Sequence, residues 1–266
     1  MKRLSFVLTV GLVAGLASPA MADLTTARIG GHGHGVKTDR MSAGVVIDHS
    51  STTVPVDQSS TAIVADVQAP AGPGALRVRL PLGMAKADDF DYDESGLGNI
   101  AIGYAMGLDA LGETGALTVG LDLHTSAAGN DKLRSNSFLR GADYGGKSTA
   151  ISLYGDFAMD MPMFDVRGGL RYWRIVADDN DAKGQILGLD VGGYVSALPI
   201  VQVGAMIHYY KDLENSDADD IIFLVPGVRA PLPAVDIGLS IPLAMAPDTL
   251  KDAEITTIML DANFGF

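Results

Sequence analysis

The chain of 266 residues contains no cysteine, which excludes disulfide bonds, thiolate metal sites and thiol catalysis. Basic residues are also scarce, because 19 Lys and Arg stand against 32 Asp and Glu and give a formal net charge of −13. Nucleic-acid-binding proteins need a basic surface, so no nucleic-acid partner is expected. Beyond residue 22, no apolar run approaches the roughly 18–20 residues of a membrane-spanning helix, which excludes a bundle of such helices.

The first 22 residues have the three parts of a secretory signal peptide. Lys2 and Arg3 form a charged head, residues 4–16 are uncharged and mostly apolar, and Ala20-Met21-Ala22 is a small-x-small cleavage site. A membrane anchor is the alternative, although the apolar stretch is short for a membrane span. We therefore expect residues 1–22 to be cleaved and the acidic mature chain to be exported through the periplasm.

Apolar and polar residues alternate with a period of two through most of the mature chain. In residues 164–176 the odd positions include Asp165 and Arg171, and the even positions include Val166 and Leu170. A charged face and an apolar face are typical of strands that lie between two different environments. Twelve such segments are predicted, near residues 41–49, 60–68, 74–82, 97–107, 114–125, 147–159, 164–176, 185–197, 200–211, 219–230, 234–245 and 254–266.

The connections between these predicted strands alternate in length. Those after even-numbered strands are short, such as 160–163, whereas those after odd-numbered strands are mostly longer and more acidic, such as 83–96 and 126–146. An even strand count with short turns at one end and longer loops at the other is typical of bacterial outer-membrane barrels. The sequence therefore predicts an all-β fold over residues 41–266: a transmembrane antiparallel up-and-down barrel of about 12 strands, with both termini periplasmic.

The last predicted strand ends on an aromatic residue. Ile258, Leu260, Ala262, Phe264 and Phe266 alternate along one face. This pattern resembles the terminal strand signature of Gram-negative outer-membrane proteins. The resemblance implies that Phe264 and Phe266 form a signal for the barrel-assembly machinery. An ordinary amphipathic strand that ends in Phe is the alternative.

Barrel closure directs alternate side chains toward lumen and lipid, so charged side chains of the strands are expected to face inward. The residues predicted to line a narrow lumen are Arg171, Asp190, His208, Asp156, Arg167, Arg77, Arg79 and Asp122. Two roles are open for them. They form a constriction that orients polar solutes, or their ion pairs neutralise buried charge and plug the barrel.

Turn lengths predict the partners within this set. They place Asp156 opposite Arg167, Arg171 opposite Asp190, and His208 also opposite Asp190. The same parity assigns aromatic residues to the two faces. Those predicted to face inward are Trp173, Tyr194 and Tyr210, and those predicted to face outward, as candidates for interfacial girdles, are Tyr104, Tyr172, Tyr209, Phe157 and Phe223.

Neither the acidic loops nor the N-terminal segment predicts a metal site or a cofactor. Asp89-x-Asp91-x-Asp93 fails the calcium-loop pattern because Ser95 rather than Gly follows Glu94. We expect solvated loop charge that divalent cations bridge to lipopolysaccharide. Gly31-His32-Gly33-His34-Gly35 offers only two imidazoles on a glycine tract. Residues 23–40 are therefore expected to form a flexible segment, either in the periplasm or in the lumen.

Residues 95–104, Ser-Gly-Leu-Gly-Asn-Ile-Ala-Ile-Gly-Tyr, open an alternating strand. The run resembles the outer-membrane barrels of the phenol-degradation meta-pathway family, with Asn99 where Asp is expected. The resemblance covers this hairpin and, more weakly, the layout of the mature chain. It implies a passive channel for small, hydrophobic or aromatic solutes in the outer membrane, and it supplies no catalytic residues.

Two further functions are open. A structural or adhesion barrel would have a closed lumen, and a lipid-modifying enzyme would need a nucleophile and a base together near a membrane interface. The segments His49-Ser50-Ser51 and His124-Thr125-Ser126 contain both residue types without a recognisable motif. Adjacent residues on a strand point to opposite faces, so we expect no enzyme.

Overall fold

The computed structural model describes residues 41–52, 58–87, 92–108, 115–125, 149–161, 163–177, 184–198, 200–214, 219–232, 235–247 and 256–265. The predicted signal peptide, the segment 23–40 and Phe266 lie outside these residues. No helix in the described part of the chain is long and apolar enough to cross a membrane. The strands are β1 (Ser42–Thr52), β2 (Gln58–Ala71), β3 (Gly74–Ala87), β4 (Tyr92–Leu97), β5 (Ala101–Leu108), β6 (Gly115–His124), β7 (Thr149–Asp160), β8 (Phe164–Ala177), β9 (Gly184–Leu198), β10 (Val201–Asp212), β11 (Ile221–Pro231), β12 (Val235–Ser240), β13 (Leu243–Ala246) and β14 (Thr256–Gly265).

All strand pairs are antiparallel, and the sheet closes on itself because β1 pairs with both β2 and β14. β4 and β5 both pair with β3, and β12 and β13 both pair with β11. β4 and β5 therefore occupy one strand position of the barrel, and β12 and β13 occupy another. The result is a closed barrel of 12 strands, as the alternation predicted.

One predicted loop is wrong. Residues 83–96 were expected to connect two strands, but β3 continues to Ala87 and β4 pairs with it. Lys86 lies opposite Asp93 in this register, and opposite charges across a strand pair stabilise the ladder. Acidic composition alone did not distinguish this strand end from a loop.

The outer and inner faces of the barrel differ sharply in polarity. On β3, Leu76 and Leu80 are 53% and 42% exposed, whereas Arg77 and Arg79 are buried. The outward row from Leu76 to Met84 has eight residue steps of about 3.3 Å on a strand tilted by about 40°, which gives a height of about 20 Å. Continuous exposed apolar surface is uncommon in soluble proteins and is typical of the lipid-facing band of membrane barrels.

Connections of different length lie at the two ends. The turn end carries short links such as 161–163 and 199–200, and the loop end carries longer ones such as 125–148 and 213–220. The two-residue link from β2 to β3 consists of Gly72 and Pro73, where Gly72 has φ 62, a left-handed conformation that favours glycine. Connections at the loop end are thus mostly longer, as predicted, with the link 88–91 between β3 and β4 as an exception.

Candidate functional site: the charged interior

The charged side chains of the barrel interior are almost fully buried. The eight residues predicted to line the lumen are between 1% and 4% exposed. The buried charged and histidine residues in the described part of the chain are Asp48, Asp66, Asp122, Asp156, Asp165, Asp190, Asp236, Asp261, Arg77, Arg79, Arg167, Arg171, Arg229, His124 and His208. The alternation of side-chain direction along each strand places these residues on the inner face of the barrel.

Asp66, Arg77, Arg79 and Asp122 form a cluster on β2, β3 and β6, which we call the central cluster. The Nε atom of Arg77 donates to both Asp66 carboxylate oxygens at 2.8 and 3.1 Å. The Nε atom of Arg79 lies 3.5 Å from Asp66 Oδ2. Asp122 Oδ2 lies 3.8 Å from Arg77 Nη1 and 3.9 Å from Arg79 Nη2. Two arginines and two carboxylates thus compensate each other out of contact with solvent, as buried charges require.

Arg171 continues this network onto β7 and β8 through ion pairing and aromatic contacts. Its Nη2 atom lies 3.3 Å from both carboxylate oxygens of Asp156. Its Cζ atom lies 4.7 Å from the ring centroid of Tyr154 and 5.7 Å from that of Trp173. Cations within about 6 Å of an aromatic ring are attracted to its face. The guanidinium therefore lies between two aromatic rings while it pairs with a carboxylate.

Tyr154 connects Arg171 to the central cluster. Arg77 Nη1 donates to the Tyr154 hydroxyl at 3.3 Å, and Arg77 Cζ lies 5.8 Å from the ring centroid. Gly120 makes room for the ring on the neighbouring strand, because a Cβ atom there would overlap with the ring atoms of Tyr154. Sequence reasoning did not assign Tyr154 to the site, although its even position in β7 matches that of Asp156.

Two of the three predicted partnerships are wrong. Both Asp156 and Asp190 lie opposite Gly169, and Arg171 lies opposite Gly188. Asp156 therefore faces neither Arg167 nor any other arginine directly, and its ion pair with Arg171 is diagonal. The predicted hairpin registers were each displaced by two residues, which changes the partner of a side chain and leaves its face unchanged.

The third partnership is correct. His208 lies opposite Asp190, and the Nδ1 atom of His208 is hydrogen-bonded to Asp190 Oδ1. The Tyr210 hydroxyl donates to the same oxygen at 3.4 Å. The His208 and Tyr210 rings are stacked, with centroids 6.5 Å apart and planes inclined by 8°, and the Trp173 ring centroid lies 6.5 Å from that of Tyr210. A continuous series of contacts thus runs from Tyr154 through the Arg171 guanidinium to Trp173, Tyr210 and His208.

A second cluster, the turn-end cluster, is organised by Arg229 on β11. Its Nε atom donates to both oxygens of Asp236 at 2.7 Å. Its Nη1 atom donates to Asp165 Oδ2 at 3.1 Å and to Gln202 Oε1 at 3.0 Å. Arg167 also contacts Asp165, with Nη2 2.5 Å from Oδ2. Arg229 therefore links β12, β10 and β8 across the interior near the short turns.

Sequence reasoning missed Arg229 and assigned Phe223 to the wrong face. Phe223 is 1% exposed and lies opposite His208, so it faces inward rather than toward lipid. Both faces of β11 are largely apolar, and hydrophobicity therefore gives little information on parity. The charge of Arg229, which has the same parity as Phe223, was the available signal. Trp173, Tyr194 and Tyr210 are buried, as predicted.

One side of the interior is apolar and is called the apolar wall here. It comprises buried side chains from β1, β2, β10, β11 and β14 that form one cluster with Trp173, Tyr194 and Tyr210. These side chains are Val46, Val64, Met206, Phe223, Val225 and Met259. The interior therefore presents ion pairs, aromatic faces and aliphatic surface within one barrel.

Polar outward side chains mark the loop end. The Lys211 ammonium donates to Asp220 Oδ1 at 2.8 Å, and the Tyr209 hydroxyl donates to Asp220 Oδ2 at 2.9 Å. These hydrogen bonds lower the pKa of the Asp220 carboxyl, the Lys211 bond more than the Tyr209 bond. Outward Arg174 is exposed at the same end of β8. Phe264, at the opposite end, is 38% exposed and faces outward.

Among the described residues, adjacent His49 and Ser50 do not form a nucleophile–base pair, and Ser126 lies outside these residues. The Nδ1 atom of His49 lies 3.0 Å from Thr61 Oγ1, whereas Ser50 is buried on the other face. The Nε2 atom of His124 lies 3.4 Å from Ser152 Oγ inside the barrel. Across the described ranges, no group of three or more His, Asp or Glu side chains is placed to hold a metal ion.

Solved structures resemble this barrel, whereas no family model and no curated protein sequence matches the chain. An outer-membrane channel from Pseudomonas putida superposes with a TM-score of 0.65 at 9% identity, covering 88% of this chain and 97% of the channel. The NanC porin superposes with a TM-score of 0.53 at 8% identity, covering 84% of this chain and 98% of the porin. The chain therefore has the closed antiparallel barrel fold of outer-membrane channels.

Proposed function

We propose that this protein is an outer-membrane channel through which small solutes pass passively, and that small aromatic or apolar solutes with a polar group are its substrates. In this proposal the signal peptide 1–22 is cleaved, both termini are periplasmic, and the barrel performs no chemical reaction. The observation that carries the proposal is the mixed character of the interior. The central cluster supplies hydrogen-bonding groups, and the apolar wall supplies apolar surface within the same barrel.

The arrangement suits solutes with two kinds of surface. Aromatic faces and aliphatic side chains contact an apolar body without hydrogen bonds, and adjacent guanidinium and carboxylate groups bind a hydroxyl or another polar group. A narrow pore selects solutes by the groups that line it. The resemblance of residues 95–104 to the phenol-degradation meta-pathway family supports the same solute class.

Planar-bilayer recording of the mature chain tests the proposal. We expect discrete single-channel conductance, and we expect proteoliposomes to take up a small phenolic solute faster than empty liposomes do. A barrel that shows neither conductance nor uptake would contradict the channel function and favour the structural or adhesion alternative. Hydrolysis of a lipid substrate by the purified barrel would favour the enzyme alternative.

The partners proposed for the barrel follow from its faces. The exposed apolar belt contacts outer-membrane lipids, and the acidic loop end contacts lipopolysaccharide through divalent cations. The outward aromatic Phe264, together with Phe266, is proposed to bind the barrel-assembly machinery during biogenesis.

Deletion of residues 23–40 is a separate test of the lumen. A variant that joins the signal peptide directly to Met41 is expected to conduct more current if the segment narrows the lumen, since its removal leaves a wider path. An unchanged conductance from a normally assembled barrel would mean that the segment lies in the periplasm. Heat-dependent migration in SDS gels provides the control for assembly.

A further inference from the structure

We infer that Asp190 and Trp173 form a hydrogen-bonding site for the hydroxyl group of a solute, an inference that rests on the proposed channel function. Each side chain has one buried polar atom that no group in the described part of the chain hydrogen-bonds, namely Oδ2 of Asp190 and Nε1 of Trp173. The two residues are only 1% and 3% exposed. Native proteins rarely leave buried polar atoms without partners, so two of them in one region point to a ligand.

Both residues of this hydroxyl site are neighbours of Tyr210. The Tyr210 hydroxyl donates to Asp190 Oδ1 at 3.4 Å, and the ring centroids of Tyr210 and Trp173 are 6.5 Å apart. Gly188 lies opposite Tyr210 on β9, and a Cβ atom there would come within 3.0 Å of Trp173 Cζ3 and 3.1 Å of Tyr210 Cε1. Glycine at this position therefore allows the two rings to pack together beside the strand that carries Asp190.

The two atoms of the hydroxyl site have opposite hydrogen-bonding roles. A carboxylate oxygen of Asp190 accepts a hydrogen bond, whereas the indole N–H of Trp173 can only donate one. A hydroxyl group both donates and accepts, so it can satisfy both atoms. An ether oxygen accepts only, and a solute carboxylate would place a second negative charge beside Asp190. The site therefore fits a neutral hydroxyl compound.

The apolar wall adjoins the hydroxyl site and offers contact surface for the rest of the solute. Trp173 belongs to the same buried cluster as Met206 and Phe223, and Phe223 lies opposite His208, the partner of Asp190. Because Asp190 and Trp173 are buried, a solute reaches them only when a neighbouring side chain moves. Met206 is unbranched and has three rotatable bonds, which suits it to adapt to an incoming molecule. The solute is therefore a hydroxyl group on a compact apolar body.

Tryptophan fluorescence tests the hydroxyl site directly, because Trp173 is the single tryptophan of the chain. The refolded mature chain in detergent is titrated with benzyl alcohol, benzyl methyl ether and benzoate. We expect benzyl alcohol to change the emission saturably, with an affinity at least about tenfold higher than that of the ether, which cannot donate to Asp190. Benzoate is expected to bind more weakly than the alcohol. Simple partition into the micelle would favour the more apolar ether, so the expected order identifies the hydrogen bond.

The Asp190→Asn variant examines the acceptor of the hydroxyl site. It keeps the size of the side chain and removes its charge, and hydrogen bonds to neutral groups are weaker than those to charged groups. We therefore expect the preference for alcohol over ether to fall severalfold. Asp93→Asn, at an exposed position of β4, is the matched control and is expected to retain the wild-type preference.

The outcomes separate the hydroxyl site from the channel function, which bilayer recording measures on the same preparation. Equal affinities for alcohol and ether in a barrel that conducts would overturn the site and leave the channel function intact. A selective response of Trp173 in a barrel that does not conduct would support the site and contradict the channel function. A folded barrel with neither property would overturn both.

Discussion

The Arg229→Ala variant is expected to lose about 3–5 kcal/mol of unfolding free energy, the range measured when one member of a buried ion pair is removed. Arg229 donates to both oxygens of Asp236 and also to Asp165 and Gln202. Its removal leaves the buried carboxylate of Asp236 without the guanidinium that compensates it. The measurement is the urea dependence of the folded band in SDS gels of unheated samples.

Arg174→Ala is the matched control for Arg229→Ala. Arg174 is an arginine of the same barrel, but it is exposed and faces outward at the loop end. Its truncation is expected to change the urea midpoint little, because exposed charges contribute little to stability. Equal midpoints for the two variants would contradict the role assigned to the turn-end cluster.

The Arg171→Ala variant is expected to increase single-channel conductance severalfold and to shift selectivity toward cations. Removal of the guanidinium withdraws a large group from between Tyr154 and Trp173 and leaves Asp156 without its ion-pair partner. A wider lumen with one positive charge fewer should conduct more potassium and less chloride. Bilayer recording in a KCl gradient measures both quantities.

The same outward arginine provides a control for the lumen. Arg174 is three residues from Arg171 on β8 and faces the opposite way, so Arg174→Ala should leave conductance and selectivity unchanged. If Arg171→Ala also leaves both unchanged in a folded barrel, the narrowest part of the lumen lies elsewhere. Lys in place of Arg171 keeps the charge and loses the planar group, and it is expected to retain more of the wild-type selectivity than Ala.

The faces of most strands could be predicted from the sequence because a strand has a period of two and a membrane barrel separates lipid from lumen. Arg77, Arg171 and Asp190 were placed on the inner face by parity, and all three are buried. The prediction from residue parity was wrong on β11, because Phe223 was predicted to face outward and is buried in the interior. Both faces of that strand are apolar, so the hydrophobic pattern carries little information there and only Arg229 indicates the correct face.

The positions of strand ends were less predictable. β4 occupies part of a segment whose acidic composition is typical of a loop, and pairing with the end of β3 stabilises it. The break between β12 and β13 includes Pro242, which has no N–H to donate to the ladder. Local composition does not show which of these irregular segments finds a partner strand.

The sequence by itself determined the barrel class, the strand number and most of the charged residues that face inward, because alternation and connection length are properties of the chain alone. Only the tertiary structure decided which of those residues meet. A shift of two residues in a hairpin preserves every face and changes every partner, and the partners that turn lengths predicted for Asp156 and Arg171 are therefore wrong. Contacts between distant strands, such as Arg229 with Asp165, arise when the sheet closes and have no counterpart in local sequence.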